Sequence, residues 1–161
     1  MTTDATATTT AAGTTEAPEP AGTAATRAVL DAFLARLGDG SPEALAELYA
    51  EEVDWYIAPN PRVPWIKPRS TRADVADHYR ELAEGRELDP ERTGFDAVVI
   101  TGEDAVVVGS FAGTVRRTGK AFQSPFALHF TVRDGLIVRF RVIEDSLAIA
   151  AACAEDPAPE S

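Results

Sequence analysis

The hydrophobic period of this chain changes once, near residue 94, and that change limits the folds open to it. Before it, apolar residues recur at helical spacing; after it they alternate. Val29, Leu30, Phe33, Leu34 and Leu37 mark one helical face, ended by Gly38 and Gly40. Ser41-Pro42-Glu43 reads as an N-cap, a first-turn proline and a first-turn acid. The short helix it opens presents Leu45, Leu48 and Tyr49. Val53 to Ile57 reads as a strand, with Trp55 and Ile57 on one face and Asp54 and Tyr56 on the other. Pro59, Pro61, Pro64 and Pro68 then force an extended loop. A third helix starts near Thr71 and shows Val75, His78, Tyr79 and Leu82 on one side. From residue 94, FDAVVIT, AVVVGSFAGTVRR, AFQSPFALHFTV and LIVRFRVIE read as strands. Gly102-Glu103-Asp104, Thr118-Gly119-Lys120 and Arg133-Asp134-Gly135 supply the turns between them. Asp145-Ser146 caps a last helix through Ala154. The order predicts an α+β domain: a cone-shaped, curved antiparallel sheet packed on three helices, with a short C-terminal helix and a small-molecule pocket inside the cone.

Composition sets the ends of that domain. Residues 1–26 hold ten Thr, eight Ala and two Pro, too little apolar surface to offset the entropy of ordering. They are expected to form a disordered tail, with the domain at 27–154 and a second tail at 155–161. The whole chain has a net charge of −11, with 15 Lys+Arg against 26 Asp+Glu among 161 residues. Six of the acids lie in the two tails. No basic stripe exists to bind phosphate, which excludes most nucleic-acid roles and disfavours an anionic membrane surface. One cysteine and two histidines exclude a disulfide scaffold and a zinc site built from Cys and His alone, so no metal is expected. No apolar run is long enough to span a bilayer, and the first residues lack the pattern of a signal peptide. A cytoplasmic location is expected.

LYAEEVDW (48–55), VPWIKPRSTRADVADHY (63–79), HFTVRDGLIVRF (129–140) and IEDSLAIAAA (143–152), in this element order, resemble the nuclear transport factor two-like superfamily. That superfamily includes ketosteroid isomerases, limonene epoxide hydrolases, scytalone dehydratases and SnoaL-like polyketide cyclases, and the pattern looks closest to the SnoaL-like group. The resemblance implies a cystatin-like roll and cofactor-free proton chemistry on a hydrophobic small molecule, such as a polyketide or terpenoid intermediate. It also implies a homodimer of secondary metabolism. Carried over position by position, it places the tyrosine and two aspartates of ketosteroid isomerases on Phe33, Ile57 and Leu128. The last-strand aspartate of the cyclases and epoxide hydrolases falls on Val142. All four are hydrocarbon here, so those mechanisms do not carry over.

Strand parity then selects what polar groups face the pocket. With Leu128 inward, Ser124, Phe126, Phe130 and Val132 point in and His129 points out. On the last strand, Phe140, Val142 and Glu144 share the inward face. Glu144 is the carboxylate expected near the pocket, either as an acid or base with a raised pKa or as a rim residue paired with an arginine such as Arg141. His78 and Tyr79 on the third helix are candidate partners in proton transfer; a surface pair of His78 with Asp74 and a structural core role for Tyr79 are the alternatives. Trp55, Trp65, Phe111, Phe126, Leu128, Phe140 and Val142 are expected to shape the substrate site. Gly109 and Gly113 suggest a bend or spare room beside the cavity. GSFAG (109–113) lacks the spacing of a nucleophile elbow, and no phosphate-binding glycine loop is present. Two functions follow: a SnoaL-like enzyme, or a non-catalytic small-molecule-binding or dimeric scaffold protein of the same fold.

Overall fold

The structure, a computed structural model, describes residues 17–156. Helix α1 spans Thr23–Asp39, α2 Pro42–Ala46, α3 Arg72–Gly85 and α4 Ser146–Cys153. The strands are β1 (Tyr49–Ile57), β2 (Arg86–Leu88), β3 (Gly94–Thr101), β4 (Asp104–Val115), β5 (Ala121–Arg133) and β6 (Leu136–Glu144). They form one sheet in the order β1-β6-β5-β4-β2, and β3 pairs with the part of β4 that β2 leaves free. All pairings are antiparallel except β1 with β6, which is parallel, so the sheet is mixed where the alternation implied an antiparallel one. Such a parallel pair needs a long crossover, and everything from the proline loop to β5 supplies it.

The local signals of the sequence act as expected at most element ends. Ser41 Oγ accepts from the Ala44 amide, and Thr71 and Asp74 form a capping box that starts α3. Asp145 caps α4 through the Ala148 amide. Tyr49 does not continue α2. That helix stops at Ala46, and Tyr49 opens β1, fully buried, with its ring edge-on to Phe140 at 5.8 Å. Phe33 of α1 meets Phe130 of β5 edge-on at 4.9 Å, and Phe130 lies 5.1 Å from Phe140. Each such pair contributes about 1 kcal/mol beyond its buried area. This aromatic column pins α1 inside the curved sheet and leaves a hollow beside it.

The N-terminal boundary lies earlier than composition implied. Helix α1 begins at Thr23, and Thr23 and Thr26 are buried against the β3–β4 turn. Thr26 Oγ1 donates to the Gly102 carbonyl at 2.8 Å, and the Gly102 amide donates to Thr23 Oγ1 at 2.9 Å. These threonines act as tethers, a role that low hydrophobicity does not reveal. Residues 1–16, the rest of the expected tail, lie outside the described residues, as do 157–161. At the other end, Glu155 and Asp156 pair with Arg117 and Lys120. From the Thr- and Ala-rich composition of residues 1–16, a chain beginning at Ala17 is expected to melt with the full-length protein. One beginning at Arg27 loses both hydrogen bonds and the first helical turn, and should melt about 5 °C or more lower in differential scanning calorimetry.

Candidate active site

The hollow is a cavity of about 120 Å³ between α1, α3 and the inner face of the sheet. Phe33, Ile57, Leu128 and Val142, the four positions at which the resemblance puts acid or base groups, all line it. Its wall is therefore hydrocarbon where those groups would stand. A second depression, of about 290 Å³, adjoins it on the outer side and shares Leu37, Tyr79, Leu82, Arg86 and Leu88 with it.

Glu144 reaches this wall, half-buried, from the last residue of β6. Its neighbour across the sheet is Phe126, which stacks on Phe111 at 5.4 Å. The strand end is held firmly: buried Ser124 accepts the Asp145 amide at 2.8 Å and donates to the Pro125 carbonyl at 2.7 Å. Burial raises the Glu144 carboxyl above its ordinary value, and the charge of Arg86 opposes that rise. Arg141, the partner considered from sequence, instead points outward and shares Asp54 with Arg139 at 2.9 and 2.8 Å.

His78 and Tyr79, expected from sequence to take part in proton transfer, also line the cavity, and both are buried there. His78 is buried, not a surface partner of Asp74, whose carboxylate is taken by the cap of α3. Burial pulls its pKa down to about 3, although its Nδ1 sits 3.3 Å from the Trp65 carbonyl oxygen. A ring so hard to protonate is a poor general base near neutral pH. As a neutral ring it donates from Nδ1 to Trp65. The Tyr79 hydroxyl is buried 2.8 Å from that of Tyr49, and burial pushes its pKa well above the ordinary value.

The aromatic residues divide. Trp65, Phe111, Phe126 and Phe140 line the cavity together with Leu128 and Val142. Trp65 is wall rather than mouth: it is 5% exposed, and its ring fills the space where a Cβ on Gly85 would stand, at 2.8 Å. Trp55 does not line the cavity. It packs against two residues that do, 4.8 Å from both His78 and Phe140, whereas Ile57 further along the same strand lines the cavity. His129 faces outward, as parity requires, and contacts Asp104 at 2.9 Å.

Arg86 is the residue that sequence reasoning missed. Helix α3 ends at Gly85 and runs without a loop into β2, whose first residue turns its guanidinium over the Phe111 ring at 5.0 Å. Burial lowers its pKa to about 10, and the Glu144 charge opposes the fall, so it is cationic at neutral pH. A three-residue strand has no period to read. The only hint was an arginine directly after the helix-ending glycine of ELAEGRELDP. The cavity thus joins an apolar wall to one carboxylate and one guanidinium. Among the described residues, no cluster of three or more His, Cys, Asp or Glu is placed to hold a metal.

Comparison with known proteins fits this geometry. The family model of the SnoaL-like domain matches residues 30–140. A solved NTF2-like protein from Burkholderia xenovorans is 28% identical, with a TM-score of 0.71, over 82% of this chain and 98% of its own. A candidate isomerase from Rhodopseudomonas palustris, at 20% identity and a TM-score of 0.66, covers 80% of this chain and 94% of its own. A protein with a ketosteroid isomerase-like fold from Catenulispora acidiphila, solved with trimethylamine, is 13% identical with a TM-score of 0.64 over 80% of this chain and 93% of its own. At those two identities the likeness is one of fold. No curated protein matches the chain in sequence.

Proposed function

Because the chain belongs to the SnoaL-like domain family, with its NTF2-like fold, we propose that its cavity binds a small, mainly apolar molecule and that Glu144 moves a proton on it without a cofactor. The reaction class is isomerisation, cyclisation, dehydration or epoxide opening. The observation that carries this reading is Glu144 itself: a carboxylate set into a hydrocarbon wall, with burial raising its pKa toward the working range of an acid or base. The volume refines the substrate. An apolar cavity of about 150 Å³ accepts benzene, so about 120 Å³ suits a fragment of roughly one ring. A larger polyketide or terpenoid would have to extend into the outer depression past Leu37 and Leu88.

The test needs no natural substrate. 5-Nitrobenzisoxazole, a planar probe of two fused rings that would reach from the cavity into the outer depression, opens when a base removes its C3 proton. The proton passes to the Glu144 carboxylate, the C–H electron pair becomes the third carbon–nitrogen bond of a nitrile, the ring N–O bond breaks, and its electron pair remains on the phenoxide oxygen. The protein should accelerate this opening, and Glu144→Gln should remove the acceleration. A second reading, a ligand-holding protein without catalysis, is favoured by the inert His78 and by the hydrocarbon at positions 33, 57, 128 and 142. Binding of the probe without its opening would support it.

The protein is further proposed to act as a homodimer through the outer face of the sheet. There Ala97, Val108, Ala127 and Ile143 stand in one cross-strand row over β3, β4, β5 and β6, and Ile143 is 66% exposed. Sedimentation at micromolar concentration should give a dimer, and Ile143→Glu should reduce it to the 17.1 kDa chain. A wild-type monomer would refute the proposal. No helix among the described residues is long and apolar enough to cross a membrane.

A further inference from the structure

Arg86 stands where the inner cavity meets the outer depression, and it lines both. Its guanidinium carbon lies 5.0 Å over the Phe111 ring, a contact that holds the plane of the fork without using its donors. Glu144 acts on it across the cavity by charge alone; among the described residues no carboxylate reaches it as a contact ion pair. Arg86 is half-buried, and a cation partly withdrawn from water among apolar groups gains from an acceptor. The guanidinium fork matches a carboxylate or a charged ring oxygen. Phe111, Phe126 and Leu128 around it accept a flat hydrocarbon.

We infer that Arg86 anchors an oxyanion carried by a small planar hydrocarbon, so that the ligands of this cavity are ring-sized carboxylic acids or enol and phenol oxyanions. This deepens the functional reading, since it rests on the same cavity, but it does not rest on Glu144 as a base. Glu87 and Arg116 line the outer depression and pair with each other at 3.1 Å; the titratable groups that face the anion from the inner cavity are Glu144 from β6, Arg86 from β2, and His78 and Tyr79 from α3. The last two stay neutral between pH 5 and 8, because burial holds His78 near 3 and Tyr79 above its ordinary value. Glu144 alone of these changes charge at acidic pH. An anion on Arg86 repels its carboxylate, so binding should be accompanied by proton uptake and should tighten as pH falls.

The test is isothermal titration calorimetry with benzoate, neutral benzamide and toluene, and with 4-nitrophenolate at pH 8, where that phenol is ionised. Wild type should prefer the two anions to benzamide. Arg86→Met should weaken both by about 10- to 100-fold, the scale of a charged hydrogen-bonded pair, while toluene stays within about twofold and reports an intact cavity. Glu144→Gln should bind benzoate at least as tightly as wild type and flatten its pH dependence, although it cannot open the benzisoxazole. Failure of Glu144 as a base would therefore leave this inference standing. Equal affinity of wild type for benzoate and benzamide would overturn it, as would an Arg86→Met variant that keeps its benzoate affinity. If Arg86→Met does not fold, Arg86→Lys decides: it keeps the charge without the fork, and unchanged benzoate affinity would again overturn the inference.

Discussion

Glu144→Gln will lose about 10²-fold or more in the opening of 5-nitrobenzisoxazole, the usual scale of a removed acid or base, and will still bind toluene. The substitution keeps the shape of the side chain and removes its titration, so the fold survives it. Stability should move the other way. Burial raises the carboxyl pKa above its ordinary 4.5. A carboxyl raised by folding is most favourable to the native state below that unfolded value, and that contribution is lost as pH rises through the folded one. Glu144→Gln should consequently melt above wild type at pH 7 and close to it at pH 4. A variant with full activity, or one less stable than wild type at pH 7, would mean that the carboxylate is solvated or paired.

Gly109→Ala and Gly113→Ala should each destabilise the sheet by about 3 kcal/mol or more. A Cβ at Gly109 would lie 2.1 Å from the Gly94 carbonyl oxygen, and one at Gly113 would lie 2.2 Å from that of Glu87. Both obstacles are backbone, so relief requires moving a strand. Phe126 and Phe122 stand behind them at 2.9 and 3.1 Å. These glycines therefore mark a close approach of β3 and β2 to β4, not spare room beside the cavity. Gly119→Ala is the control. It sits at φ 69° with nothing nearby, and should cost only the roughly 1 kcal/mol of a left-handed backbone. Urea denaturation separates the cases. A loss below 1 kcal/mol at Gly113 would place β2, and with it Arg86, wrongly.

The sequence showed the fold well because its signals are local and repeated. Alternation over β4, β5 and β6 set which side chains face inward, so Phe126, Leu128, Phe140, Val142 and Glu144 all line the cavity. The capping residues Ser41, Thr71 and Asp145 marked the helix starts correctly. What it hid depends on contacts distant in the chain. Thr23 and Thr26 look like tail residues until Gly102, more than seventy positions away, accepts and donates their hydrogen bonds. Trp55 and Ile57 share a strand face, yet of the two only Ile57 lines the cavity, a difference set by the packing of Trp55 on His78 and Phe140 that alternation along β1 does not reveal. His78 and Tyr79 lie on the helix face that the periodicity predicts; the partners of their buried polar groups, the Trp65 carbonyl and the Tyr49 hydroxyl, come from other segments. Arg86 was hidden because β2 is short and its partner strand begins eighteen residues later.

The most direct measurement is an NMR titration of the Glu144 side-chain carboxyl carbon, in wild type and in Arg86→Met. The midpoint should lie above 4.5 in wild type and rise further in the variant, because the facing cation that holds it down is gone. A midpoint at or below 4.5, or one that ignores the loss of Arg86, would show that the carboxylate is not a desolvated group facing Arg86 across this cavity, and would contradict the account.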